Sequence, residues 1–213
     1  MDREALKLLG LRENATLTDI QTAYLKKTWQ PKFRQVILTD EMLKREFIKY
    51  YEAYVTLVQD FRKTDKSADV SYYPPDKVFQ FLFNQGVYFL LRQNSIKAGE
   101  KLEAAHKTDK KDLLALIYLG VLLLKRKNFY AAEKYFNEAM KIDKDNEDVW
   151  FYLAENYFQA GNLNKALSMF QRVQSINPSR NEVAFRLKEV KEKLGIKTPG
   201  KAKKSFLSRV FKK

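Results

Sequence analysis

The stretch "EDVWFYLAENYFQAGNLNKALSMFQRVQSINP", Glu147 to Pro178, decides the fold. Trp150, Leu153, Ala154 and Tyr157 fall on one face of a helix, and Ala166, Phe170 and Val173 on one face of a second. Gly161 breaks the two runs apart and Pro178 closes the second. A shift of 34 residues reproduces the pattern as Leu116, Leu119, Gly120, Leu123, Lys127, Ala132, Phe136 and Ala139. A second shift gives Leu82, Gln85, Gly86, Phe89, Gln93, Ala98, Leu102 and Ala105, a more worn copy. Small residues recur where two helices must approach closely, with large apolar ones around them. Each unit therefore reads as two antiparallel helices that bury their apolar faces only by stacking on neighbours.

At nearly every signature position the quoted unit resembles a tetratricopeptide repeat. The resemblance implies three such repeats over residues 76–195, closed by a capping helix in "NEVAFRLKEVKEKLG", residues 181–195, with Gly195 past its end. In that family the first helix of each repeat lines a concave groove. Carried over, the lining is Phe83, Val87 and Leu90, then Ile117, Tyr118, Val121 and Leu124, then Phe151, Tyr152, Glu155 and Phe158. The basic and asparagine residues with which some co-chaperone arrays clamp a C-terminal carboxylate are missing. "LLALIYLGVLLL", residues 113–124, is apolar nearly all round and so is expected to be covered on every side. An open peptide groove and a core covered by the chain itself are both compatible with these residues.

Residues 1–64 form a separate helical module by periodicity, joined to the repeats by a polar linker over 65–75. Asp2 is placed to cap a first helix, and Thr16 with Asp19 has the capping-box spacing for a second. The second helix ends before Pro31, and a third runs from about Asp40 to Arg62. In order, "LKLLGL", "ATLTDIQTAYLKK" and "FIKYYEAYVTL" resemble the three helices of a J-domain, the module of DnaJ-type co-chaperones. That family carries His-Pro-Asp between its second and third helices, which triggers ATP hydrolysis by the DnaK-type chaperone. Here the tripeptide is Gln30-Pro31-Lys32. A cation stands where the family has a carboxylate, so an acceptor has become a donor. The resemblance therefore implies a J-like module without its trigger. Lys26, Lys27, Lys32 and Arg34 form a basic surface there, read as a solvated face.

The 213 residues contain no cysteine and one histidine, His106, in the polar context "EAAHKTDK". Disulfides, thiolate catalysis and cysteine-ligated metals are excluded, and His106 has no identifiable partner for proton transfer. The acidic pairs Asp40/Glu41 and Glu147/Asp148 sit at helix starts, where they complement the helix dipole. No glycine-rich phosphate loop is present. The expectation is a chain that is not an enzyme and needs no cofactor, metal or small-molecule substrate. "MDREALKLLG" has acids and no apolar core, unlike a secretory signal, which points to a cytoplasmic location.

Net charge is +14, and seven of the basic residues lie after Ile196, where no acid occurs. In this tail, 196–213, the residues Phe206, Leu207, Val210 and Phe211 share one helical face, with Arg209 and lysines elsewhere. That pattern suits an anionic membrane surface, at the inner face of a membrane, or a partner groove. The fold class expected is all-α: a three-helix J-like module, then an α-solenoid of three repeats with a capping helix. The function expected is a protein-interaction adaptor or scaffold whose partners are other proteins. An RNA- or ribosome-associated basic factor, with nucleic acid as partner, and a divergent DnaJ-type co-chaperone are the alternatives.

Overall fold

A computed structural model describes residues 1–33, 38, 40–67, 69 and 72–196. Among the described residues there are ten α-helices and no strand. They are α1 (Arg3–Leu9), α2 (Leu17–Thr28), α3 (Glu41–Thr64), α4 (Val78–Leu91), α5 (Ser95–Thr108), α6 (Leu113–Lys125), α7 (Phe129–Ile142), α8 (Glu147–Gln159), α9 (Leu163–Ile176) and α10 (Asn181–Lys193). The chain divides into two compact units, Met1–Lys144 and Asp145–Lys213. The fold is all-α, as the periodicity requires.

The helix starts follow from local hydrogen bonding. The Ala5 N–H donates to Asp2 Oδ1 at 2.7 Å, and Thr16 with Asp19 closes a reciprocal capping box. Accepting from Thr16 holds the Asp19 carboxyl below its usual range. The repeats add a rule of their own. Asn94, Asn128 and Asn162, spaced by 34, cap α5, α7 and α9 through their side-chain oxygens. The residue before each cap, Gln93, Lys127 and Gly161, has φ of 59°, 58° and 81°. Only the third copy uses glycine, which carries no steric cost in this left-handed conformation.

In the first unit the pairs α4/α5 and α6/α7 pack tightly because glycine lets them. A Cβ on Gly86 would lie 2.6 Å from Leu102 Cγ, and one on Gly120 would lie 2.5 Å from Phe136 Cε1. The helix-contact role expected of both glycines is therefore real. α2 and α3 pack against α4 through aromatic rings. Tyr24 stacks on Tyr54 with centroids 4.4 Å apart, Tyr73 stacks on Phe81 at 4.4 Å, and Tyr51 stacks on Tyr88 at 3.9 Å. Burial pushes the phenols of Tyr24, Tyr51 and Tyr54 upward, so they stay neutral.

That aromatic core reaches from α2 to Phe81 of α4, past the stretch 65–75 expected to be only a polar linker. Within this stretch the Tyr72 carbonyl accepts from Gln21 Nε2 at 2.8 Å, and the Tyr73 hydroxyl accepts from Gln85 Nε2 at 2.6 Å. The N-terminal helices and the first two helix pairs lie in one compact unit, which ends at Lys144. Tyr73 makes the difference, since its ring stacks on Phe81 of α4 while the Tyr72 side chain stays exposed.

In the second unit α8 and α9 form the third pair, with Phe170 fully buried against Phe151, and α10 packs on α9. Arg180 stands 34 residues after the cap residue Asn146 but makes no side-chain cap. Its guanidinium instead donates to Asp148 at 2.9 Å and Glu182 at 3.0 Å. Gly195 follows α10 with φ of 70°, as expected of the residue that ends a capping helix.

Candidate interaction surfaces

The Gln30-Pro31-Lys32 stretch lies in the turn after α2. The Gln30 side-chain amide donates to the Lys26 carbonyl at 3.3 Å, and Pro31 opens a short 3-10 turn, Pro31–Phe33. Phe33 is buried edge-on against Phe47 of α3. This fixes Lys32, whose ammonium donates to both oxygens of Glu46 at 2.7 and 2.8 Å. Tyr50 donates to the same carboxylate at 2.8 Å. The Lys32 hydrogen bond is the main reason that the Glu46 carboxyl lies below its usual range. Lys32 is thus pinned to α3 rather than part of a freely solvated basic face. Lys27 leans over the Tyr50 ring, Lys26 is exposed, and Arg34 lies outside the described residues.

Of the eleven residues expected to line a groove, ten are buried. On α4, Phe83, Val87 and Leu90 are buried, and the Phe83 ring lies edge-on to Trp29 at 5.8 Å and to Tyr118 at 5.3 Å. On α6, Ile117, Tyr118, Val121 and Leu124 are buried, in keeping with a helix that is apolar all round. On α8, Phe151, Tyr152 and Glu155 are buried and Phe158 is half-buried.

Cations from the end of the second unit cover the α8 residues. The Arg180 guanidinium lies 4.2 Å from the Phe151 ring centroid, and Lys193 with Arg186 lies over Phe158 at 4.3 and 5.5 Å. Arg186 also pairs with Glu155 at 2.5 Å. Desolvation still dominates there and raises the Glu155 carboxyl above its ordinary range. Arg180 and the repeated asparagine caps escaped the sequence reading, although the 34-residue spacing that places them was in hand.

His106 sits in the last turn of α5, half-buried, with its ring edge-on to Tyr135 at 6.0 Å. Among the described residues no group of three or more potential ligands is arranged to hold a metal ion. No helix among them is long and apolar enough to cross a membrane. The tail residues Phe206, Leu207, Arg209, Val210 and Phe211 lie outside the described residues.

Residues 123–189 match the tetratricopeptide repeat family. No curated protein matches the chain by sequence. Among solved structures, the first TPR domain of human RPAP3 aligns with a TM-score of 0.54 at 16% identity, over 57% of this chain and 95% of that one. The first TPR of Spaghetti (RPAP3), bound to the HSP90 peptide SRMEEVD, aligns at 0.53 and 16%, over 56% and 94%. MamA from Desulfovibrio magneticus RS-1 aligns at 0.54 and 14%, over 73% and 85%. At such identities the likeness is one of fold, and the family match itself covers residues 123–189, from the end of α6 into α10.

Proposed function

We propose that this protein is a non-enzymatic adaptor whose repeats hold a segment of a protein partner. The observation that carries the reading is the repeat fold, which a solved relative uses while bound to a peptide. The matched family is a helical repeat and indicates no catalytic class. Since most of the expected groove residues are buried, the partner surface centres on Phe158, with the Arg186 and Lys193 cations over its ring. An apolar contact flanked by cations suits a partner segment that is apolar with an acidic flank.

Affinity capture on wild type and Phe158→Glu tests the reading. Loss of the captured protein with helical circular dichroism unchanged supports it, and equal recovery overturns it. Tyr118→Glu and Phe151→Glu cannot serve here, because both side chains are buried and the variants are expected to unfold.

In this adaptor the N-terminal helices act as a J-like module without the ATPase trigger. Lys32 has the wrong charge and is already held by Glu46. Single-turnover hydrolysis by a DnaK-type chaperone is expected to be unchanged by the full chain. A several-fold rise that is lost with Lys32→Ala would reject this part. Recruitment to a membrane-associated assembly rests on the sequence of residues 201–213 alone.

A further inference from the structure

We infer that a cleft between α2 and the start of α4 binds an acidic peptide segment carrying one apolar anchor residue. The cleft lies wholly within the first unit and is separate from the repeat face around Phe158. Its volume is about 450 Å³, within the range of pockets that hold ligands. Leu25 and Phe81 form its floor and the half-buried Trp29 ring one wall. Lys26 and Lys77 stand at its rim, and no residue lining it is acidic.

Three features of the cleft ask for the same occupant. The first is charge. Among the described residues Lys26 makes no ion pair, while Lys77 has only its neighbour Asp76, 3.1 Å away and largely exposed. An exposed pair of that kind contributes little and yields readily to an incoming carboxylate. The second feature is the apolar floor, which takes a leucine or an aromatic side chain. The third is Gln80, a residue of the cleft lining whose buried Oε1 accepts no hydrogen bond. Turned into the cleft, that amide oxygen accepts from a backbone N–H of an extended segment. A basic segment, including residues 201–213 of this chain, meets two lysines and is repelled.

The cleft does not belong to the N-terminal helices alone. Pro74, Lys77, Gln80 and Phe81 come from the linker end and α4, so the site exists only where these helices meet the first repeat.

A random dodecapeptide display selection against the full chain, repeated on Lys26→Glu/Lys77→Glu, tests the inference. Wild type should enrich acidic peptides with a leucine or aromatic residue. The best of them, made synthetically, should bind the double variant about tenfold more weakly or worse, and should weaken as salt rises. Gln80→Ala should cost several-fold, and Lys26→Gln/Lys77→Gln an intermediate loss. Phe158→Glu should change nothing, which separates this site from the repeat face. No acidic enrichment, or equal affinity for the double variant with folding intact, overturns the inference. Loss on Phe158→Glu alone, or displacement of the acidic peptide by a peptide of residues 201–213, does so too.

Discussion

The Asn84 side-chain amide donates to the Thr28 hydroxyl at 2.8 Å, and that hydroxyl donates in turn to the Tyr24 carbonyl at 3.0 Å. Both side chains are about 1% exposed, so the last turn of α2 is locked to the middle of α4 by a bond that water cannot replace. Thr28→Val keeps the shape and leaves the Asn84 donor unmet. It is expected to destabilise the first unit by about 1–3 kcal/mol. Thr28→Val/Asn84→Leu should recover part of that loss, because no polar group is then stranded. Urea unfolding of the three variants checks the cycle, and additive losses would mean that the bond is not the link.

Gly86→Ala and Gly120→Ala test the close approach of the helix pairs. The added Cβ meets Leu102 in one case and the Phe136 ring in the other, both fully buried. Overpacking of this kind costs about 1–3 kcal/mol, set against up to about 1 kcal/mol gained from alanine's helix propensity. Gly120→Ala should be the worse, since a ring cannot fold aside as a leucine side chain can. Thermal unfolding that ranks Gly86→Ala as more damaging would contradict the packing.

The turn between paired helices offers the opposite experiment. Lys127 and Gln93 hold φ near +58° where the third repeat has Gly161. Lys127→Gly and Gln93→Gly relieve a conformation that side chains disfavour and are each expected to stabilise by about 0.5–1 kcal/mol. Gly161→Ala should lose a similar amount. Chemical denaturation midpoints decide it.

Glu155 should leave a signature in the pH dependence of stability. Burial raises its folded-state carboxyl pKa above the ordinary value of 4.5, against the opposing pull of Arg186. The folded protein therefore keeps this proton to higher pH than the unfolded chain. The associated stability is fully present below the unfolded value and is lost as pH rises through the folded one. Glu155→Gln removes that loss. Its unfolding profile should be flatter between mildly acidic and neutral pH, with neutral-pH stability unchanged or higher by up to about 1 kcal/mol. A variant that is strongly destabilised at neutral pH would show that the Arg186 pair outweighs burial.

The tail is tested on vesicles. A thirteen-residue segment, 201–213, is too short for a stable helix in water, so its order should require a surface that buries Phe206, Leu207, Val210 and Phe211. Each lysine near an anionic bilayer adds roughly 1 kcal/mol, so binding should weaken with salt but not vanish. Liposome co-sedimentation of wild type, Phe206→Ser/Phe211→Ser and a chain ending at Gly200 measures it. Equal sedimentation of all three would remove the tail from the mechanism.

By itself the sequence determined the helices, their caps at Asp2 and Thr16, the 34-residue period and the contact glycines Gly86 and Gly120. These features are set by residues three or four apart on one helix, or by spacing along the chain, and both are visible without coordinates. Only the tertiary structure decided what covers the expected groove residues and where the compact units divide. It also decided that Lys32 is held by Glu46, 14 positions away, and that Tyr73 and Phe81, on either side of the α4 start, share a core with α2. Such pairings depend on the path of a turn and on which rings bury together. The amphipathic pattern of a helix names the face that must be covered, while the partner that covers it is chosen by packing between segments distant in the chain.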